Sequence, residues 1–273
     1  MVTGGGLGLL KAETSEALTA GFVWQPGFAD LSLSVDYFDI DVKDEVDVIG
    51  ARNIVVGCYD SAFFPDEPLC DLFDRSAPTH PLPNAITEIR DSFINVSQQR
   101  NRGMDVAIRY QQELPWGALT VDTQHTFQFE DTIGLFDATQ EDLSGEAGHP
   151  DWVGNLNFTL DRDLWSFFWG MSFIGETDNY ASFGRRTVVD SVGEIVDIDL
   201  KAESVMYHSL SVSRDFDGGY IARLGVANAL DEKPPRLTSF GTGTEVDTLG
   251  QVAFYSQYDW LGRRFFLNVS KEF

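Results

Sequence analysis

Ala118-Leu119-Thr120-Val121-Asp122-Thr123-Gln124-His125-Thr126-Phe127-Gln128-Phe129 separates into two kinds of residue when every second position is taken. One set is Leu119, Val121, Thr123, His125, Phe127 and Phe129. The other is Ala118, Thr120, Asp122, Gln124, Thr126 and Gln128. Successive side chains of a strand point to opposite faces, whereas a helix of 3.6 residues per turn would mix the two sets. The stretch therefore reads as a strand with one apolar and one polar face. His125, with Thr123 beside it, is the exception on the apolar face, and it counts against the reading unless it lies near the outer interface.

The same test finds eight more strands, about nine in all. Leu18, Ala20, Phe22 and Trp24 share a face in 17–25, and Leu31, Leu33, Val35 and Tyr37 oppose Ser32, Ser34 and Asp36. Met104, Val106, Ile108 and Tyr110 oppose Asp105, Arg109 and Gln111. Leu156, Phe158 and Leu160 come next, then Trp165, Phe167, Trp169, Met171 and Phe173. Met206, Leu210 and Val212 oppose Ser209, Ser211 and Ser213, and Tyr220, Ala222, Leu224 and Val226 oppose Arg223. Last, Phe265, Leu267, Val269 and Phe273 oppose Asn268, Ser270 and Glu272. Segments of ~9–11 residues suffice to cross a bilayer at a tilt, and nowhere does the chain approach ~18 consecutive apolar residues. Asp36, Asp105, Asp122 and Arg223 all avoid the apolar face, where a midplane cation costs ~2–4 kcal/mol.

The connections alternate in length. Tight turns fall at 25–30, 113–117, 161–164 and 215–218, and long polar stretches at 49–88, 130–150, 177–203 and 231–260. Short periplasmic turns and long extracellular loops are how outer-membrane barrels are built. Trp24, Tyr110, Trp116, Trp165, Tyr220 and Phe273 lie beside the short turns or at the chain end, where amphipathic rings prefer the headgroup level. Gly103, Gly170 and Gly225 read as places where the wall bends or something packs close. The fold expected is all-β: an antiparallel transmembrane barrel, here about nine strands with its edges near Leu18–Gln25 and Arg263–Phe273.

Composition agrees. The 273 residues include 21 Phe, 8 Tyr and 6 Trp, and the formal net charge is -24. That charge excludes nucleic acid as a partner and is read chiefly as solvated loops, with attraction of cationic or metal-bearing ligands as the sharper alternative. Cys58 and Cys70 share a loop dense with Pro, Asp and Phe; in an exported protein they read as a disulfide, with free thiols as the alternative. Met1-Val-Thr-Gly-Gly-Gly lacks a basic start and Leu7–Leu10 is too short for a signal core. The chain is accordingly read as the C-terminal portion, 1–273, of a longer outer-membrane protein whose signal and N-terminal half lie outside it.

Two segments carry a family resemblance. Tyr258-Asp259-Trp260-Leu261-Gly262-Arg263-Arg264-Phe265-Phe266-Leu267-Asn268-Val269-Ser270-Lys271-Glu272-Phe273 resembles the final strand of TonB-dependent receptors, and Gly225-Val226-Ala227-Asn228-Ala229-Leu230-Asp231-Glu232-Lys233-Pro234-Pro235 resembles their penultimate-strand motif. Glu13–Phe22 and Leu31–Lys43 resemble earlier strands. The resemblance implies a 22-stranded barrel around a plug domain and a place in the outer membrane of a Gram-negative bacterium. It also implies uptake of a scarce ligand (an iron chelate, a cobalamin or a glycan) powered through TonB by way of the plug, and reading of the terminal Phe273 by the barrel assembly machinery. Without plug or early strands, transport by these residues alone is not expected.

The competing readings are the end of a porin or autotransporter, and a soluble β-sandwich adhesin. Catalysis is not expected: His80, His125, His149 and His208 lie in separate segments with no nucleophile motif nearby. Glu130-Asp131 and Glu141-Asp142 read as solvated loop charges, and so does Asp66-Glu67 near Cys70-Asp71, for which cation binding is the minor alternative. No catalytic, cofactor, metal or ligand-binding residue is assigned. The partners expected are outer-membrane lipid, the assembly machinery, TonB through the plug, and a small-molecule or glycan ligand.

Overall fold

The computed structural model describes residues 2–4, 10–134, 141–180, 187–189, 191–197, 200–239, 248–252 and 257–271. Nine long strands carry it: β1 (Thr14–Trp24), β2 (Asp30–Val48), β3 (Ile86–Leu114), β4 (Gly117–Gly134), β5 (Trp152–Arg162), β6 (Trp165–Ile174), β7 (Val205–Phe216), β8 (Tyr220–Ala227) and β9 (Arg264–Lys271). Each pairs with its neighbours in sequence, in the order β9-β8-β7-β6-β5-β4-β3-β2-β1. Every register from β4 to β9 is antiparallel. Among the described residues no helix is long and apolar enough to cross a membrane.

The tight turns join neighbours as hairpins. Asp163 (φ 52°) helps turn the chain between β5 and β6, and Gly218 (φ 83°) and Gly219 (φ 77°) between β7 and β8. Such positive φ angles match the twist of hairpin strands, and glycine reaches them without a steric penalty.

Register converts the alternation into rows across the sheet. One row runs Leu119–Leu160–Phe167–Val212–Leu224–Leu267. The next runs Val121–Phe158–Trp169–Leu210–Val226–Phe265. Between them lies Thr120–Thr159–Phe168–Ser211–Gly225–Phe266, with Asp122–Asn157–Gly170–Ser209 one step on. The apolar rows are bare: Leu224 is 55% exposed, Val269 63% and Leu267 70%. A soluble protein cannot leave so continuous an apolar band in water, whereas lipid covers it at no cost. The opposite rows are tied by polar contacts, Thr126 to Asp105 at 2.6 Å and Asn157 to Asp122 at 3.1 Å.

His125 is accommodated by a complete donor chain. The indole of Trp152 donates to His125 Nδ1 at 3.0 Å, His125 Nε2 meets Thr123 Oγ1 at 2.8 Å, and Thr123 Oγ1 donates to the Asn155 carbonyl at 2.6 Å. The neutral Nε2–H tautomer uses each donor once, so no polar group faces hydrocarbon unpaired. Trp169 and His208 repeat the pairing at 3.2 Å. Trp152 opens β5 at the long-loop end, which puts His125 beside that interface, as the sequence reading requires.

The glycines mark close approaches. A Cβ on Gly103 would lie 2.6 Å from the ring of Phe38, and on Gly225 2.3 Å from that of Phe266. The ring covers the gap a side chain would otherwise fill.

By contact density the chain divides into two units. Leu18–Asp39, Asn101–Asp131 and Leu143–Phe273 form the first, which holds β5–β9 and the short-turn parts of β1–β4; Met1–Ala17, Ile40–Arg100 and Thr132–Asp142 form the second. Two expectations are corrected. The early strands are far longer than a bilayer needs, with 29 residues in β3 and 19 in β2. Beyond the lipid no face is held to hydrocarbon, so pairing continues where alternation fades. The sheet is not wholly antiparallel, since Val2–Gly4 pairs parallel with Arg90–Ser92. The long loops carry pairs of their own: Thr177–Asp178 with Lys201–Ala202, Thr187–Val189 with Ile195–Asp197, and 236–239 with 248–252.

Adjacent residues on β6 test the two faces. Met171→Lys, on an apolar row, should destabilise the folded protein by about 2–4 kcal/mol, and Ser172→Lys, on a polar row, by less than about 1 kcal/mol. Equilibrium unfolding in detergent micelles, followed by electrophoretic mobility without heating, measures both.

Candidate functional site

The second unit carries the longest of the polar stretches, 49–88. Gly50 (φ 86°) opens a helix, α1 (Ala51–Asp60), and a 3-10 turn follows at Pro68–Leu72. A ten-residue helix is marginal in water, and this one has no side-chain cap at its N-terminus. Burial and a covalent tie hold it. Ile49, Ile54, Cys58 and Phe73 form a small core against Leu69, Leu72, Ile89 and Ile94, and Ile54 has no exposed surface. A Cβ on Gly57 would meet Leu69 Cδ1 at 2.6 Å, so a larger residue there would push the Leu69 side chain aside. Buried Asp91 accepts the Gly50 amide at 3.0 Å. Cys58 and Cys70 are joined, with Cα atoms 4.9 Å apart, a separation within the normal range for such a bridge.

On this frame sits a cluster of rings around one cation. The Arg75 guanidinium lies 5.4 Å from the ring centres of both Tyr59 and Phe73, and donates to the Tyr59 hydroxyl and the Asn84 carbonyl. Tyr59 also meets Phe64 at 5.1 Å. Phe63 is 74% exposed, and Tyr59, Phe64 and Leu82 are exposed with it. Large aromatic rings and a guanidinium beside them, exposed to solvent, can recognise a flat, anionic ligand, since cation–π contacts and charge-assisted hydrogen bonds both serve there.

Arg90 braces the neighbouring segment. It donates to Asp74 Oδ2 at 2.6 Å and to the Asp71 carbonyl at 2.6 Å. The Arg90 hydrogen bond holds the Asp74 carboxyl below its ordinary range. A depressed folded pKa adds stability above the unfolded value of about 3.9, and that stability goes as pH falls through the folded pKa. The tie is therefore intact at neutral and mildly acidic pH.

In the first unit, the two motifs that carry the family resemblance touch each other. Asn228, 1% exposed with φ 49°, accepts the Glu232 amide and donates to its carbonyl, both at 2.8 Å. Asp231 accepts the Arg263 amide at 2.9 Å. Asp259 accepts the Leu261 amide at 3.0 Å and a hydrogen bond from Arg264, and its own amide donates to the Tyr207 hydroxyl at 3.1 Å. The Arg264 hydrogen bond holds the Asp259 carboxyl below its ordinary range, and the Arg263 amide does the same for Asp231. The motif residues thus latch the loop entering β9 to the loop leaving β8.

The polar rows contain a depression of about 260 Å³ lined by Thr159, Ser166, Ser209, Ser211, Arg223 and Phe266 among others. It is a shallow, hydroxyl-rich part of the wall.

The remaining singled-out residues fall apart in space. His80 takes the Leu82 amide, His149 pairs with Asp131 at 2.7 Å, and His125 and His208 sit with tryptophans on the apolar face. Among the described residues no group of His, Cys, Asp and Glu gathers that could hold a metal ion; Glu67 instead accepts from the Ser61 hydroxyl at 2.7 Å. Phe273 lies outside the described residues. Tyr59, Phe73 and Arg75 escaped sequence reasoning because they stand 14 and 2 positions apart in a stretch with no period. The flanking cysteines were the one available signal, since a bridge there brings Tyr59 against the segment after Cys70.

Comparison with known proteins places this geometry. A family model described as TonB dependent receptor-like, beta-barrel matches residues 2–229. No curated protein matches. Among solved structures, a variant of the ferric enterobactin receptor PfeA from Pseudomonas aeruginosa is 16% identical, with a TM-score of 0.58 over 97% of this chain and 32% of that one. The siderophore receptor PirA from Acinetobacter baumannii is 16% identical, with a TM-score of 0.56 over 97% and 32%. The FrpB iron transporter from Neisseria meningitidis is 12% identical, with a TM-score of 0.53 over 98% and 32%. At such identities the likeness is one of fold. The chain spans about a third of the length of these structures.

The bridge closes few residues, so on the chain-entropy model it contributes about 3 kcal/mol. Cys58→Ser with Cys70→Ser should loosen α1 while leaving β5–β9 protected. Hydrogen exchange followed by mass spectrometry of the two regions checks this.

Proposed function

The chain belongs to the TonB-dependent receptor β-barrel family, an outer-membrane family, and from that premise we propose that it serves the uptake of an iron chelate. The observation that carries the choice of ligand is Arg75 set beside the touching rings of Tyr59 and Phe73, with Phe63 and Phe64 exposed beside it. Ring faces and one fixed cation suit a chelate whose own rings and negative charge surround the metal. The similar solved structures support this, being described as a ferric enterobactin receptor, a siderophore receptor and an iron transporter. A cobalamin offers Arg75 a single phosphodiester anion, against the several anionic oxygens around the metal of a ferric chelate, and a neutral glycan would use the rings without the cation.

The role proposed is capture and passage, with no bond made or broken by the chain. In this reading the loops take the chelate from outside and the hydroxyl-rich rows line its path. Coupling to TonB belongs to a plug domain, and the assembly machinery reads the strand that ends at Phe273.

Arg75→Ala in the purified protein should weaken binding of a ferric catecholate chelate about tenfold, or roughly 1.4 kcal/mol, as read by quenching of tryptophan fluorescence. Arg75→Lys should recover only part of the loss, because an ammonium lacks the planar fork that reaches the Tyr59 hydroxyl and the Asn84 carbonyl together. Saturable binding of cyanocobalamin or a maltooligosaccharide, with none of the ferric chelate, would replace the proposal.

A further inference from the structure

Much of the polar face of the sheet is tied to itself. Thr126 donates to Asp105, Asn157 to Asp122 and Gln111 to Thr120. The depression of about 260 Å³ across β5–β9 is different. Among the described residues its hydroxyls, on Thr159, Ser166, Ser209 and Ser211, make no side-chain hydrogen bond, and Arg223, which also lines it, forms no ion pair. Asp215 stands diagonally across from Arg223 on β7 by register and is not paired with it. Acids outnumber bases 43 to 19 in the chain, so a guanidinium without a carboxylate is not explained by a shortage of partners.

Two rings interrupt the polar rows at the same place. Phe168 and Phe266 belong to the row Thr159–Phe168–Ser211–Gly225–Phe266, and Arg223 to the adjacent row Ser166–Ser213–Arg223–Asn268. Phe266 is 42% exposed although its row is otherwise polar or small. Each ring lies across a glycine. A Cβ on Gly225 would come within 2.3 Å of the Phe266 ring, and one on Gly170 within 2.7 Å of the Phe168 ring. The glycines thus leave room for the rings to lie low against the wall.

We propose that this depression binds a single-ring aromatic carboxylate. The planar fork of Arg223 matches the geometry of a carboxylate, and the unengaged hydroxyls complete the hydrogen bonds of its oxygens. Phe168 and Phe266 offer ring surface to the aromatic part. Size sets the limit: about 260 Å³ falls below the ~300–1,000 Å³ of sites that enclose a drug-sized molecule. One ring with its carboxylate fits, and a whole chelate does not. All the residues involved lie in the first unit, and the inference does not rest on the iron-chelate reading of the loop around Arg75.

Fluorine NMR of para-fluorobenzoate, titrated with the purified protein in nonionic detergent against empty micelles as the blank, reads the affinity. The acid should bind saturably and at least fivefold more tightly than neutral para-fluorobenzamide at low salt. Arg223→Gln should abolish that preference and leave the amide unchanged. Phe266→Ala should weaken both ligands, and Arg109→Gln, on β3 outside the depression, should change neither. Absence of saturable binding overturns the proposal, as does equal affinity for acid and amide, which marks an apolar cleft alone. A preference that survives Arg223→Gln also overturns it, because the anion is then held elsewhere, at Arg75 or another cation. Failure of a ferric chelate to bind would remove the reading of the Arg75 loop and leave these outcomes to decide this one.

Discussion

Inside a bilayer no water is available to a backbone N–H or C=O, and each group left unpaired costs several kcal/mol. The rest of this structure depends on that constraint. Neighbouring strands must pair along their whole membrane length, so the chain runs as an unbroken meander with each strand beside the next in sequence. Pairing leaves each strand two faces, one against lipid and one against the interior. The period-2 pattern follows, and the rows that register builds from it follow in turn.

Side chains obey the same rule. His125 tolerates the lipid face because the Trp152 indole and the Thr123 hydroxyl complete its hydrogen bonds, and Trp169 uses His208 in the same way. Outside the lipid the constraint lifts and other devices take over. Asn228 and Asp231 satisfy loop amides in place of a ladder, and a disulfide pins a helix too short to stand alone. The rings and cation at Arg75 can be presented to solvent because that local frame holds them.

What was legible in the sequence follows from where the constraint acts. In β4–β9 alternation and structure coincide, and all nine strands were found from such segments. The ends of β2 and β3 carry no such signal because beyond the bilayer no lipid face imposes alternation, and Ile89 and Ile94 pack under α1 instead. The parallel pairing of Val2–Gly4 has no local signature, since it is made with residues nearly ninety positions away. The cysteines announced a tie without announcing the helix it holds. Tyr59 and Arg75 meet through tertiary packing that no period encodes.

The two-faced sheet is the claim on which the account stands. Nitroxide labels placed singly at each position of β6, Trp165 to Ile174, in the membrane-reconstituted protein would report it through collision with oxygen dissolved in lipid and with a water-soluble nickel chelate. The account predicts strict period-2 alternation: oxygen contact high at 165, 167, 169, 171 and 173, and low at the positions between. A flat profile, or one repeating every three to four residues, would contradict it.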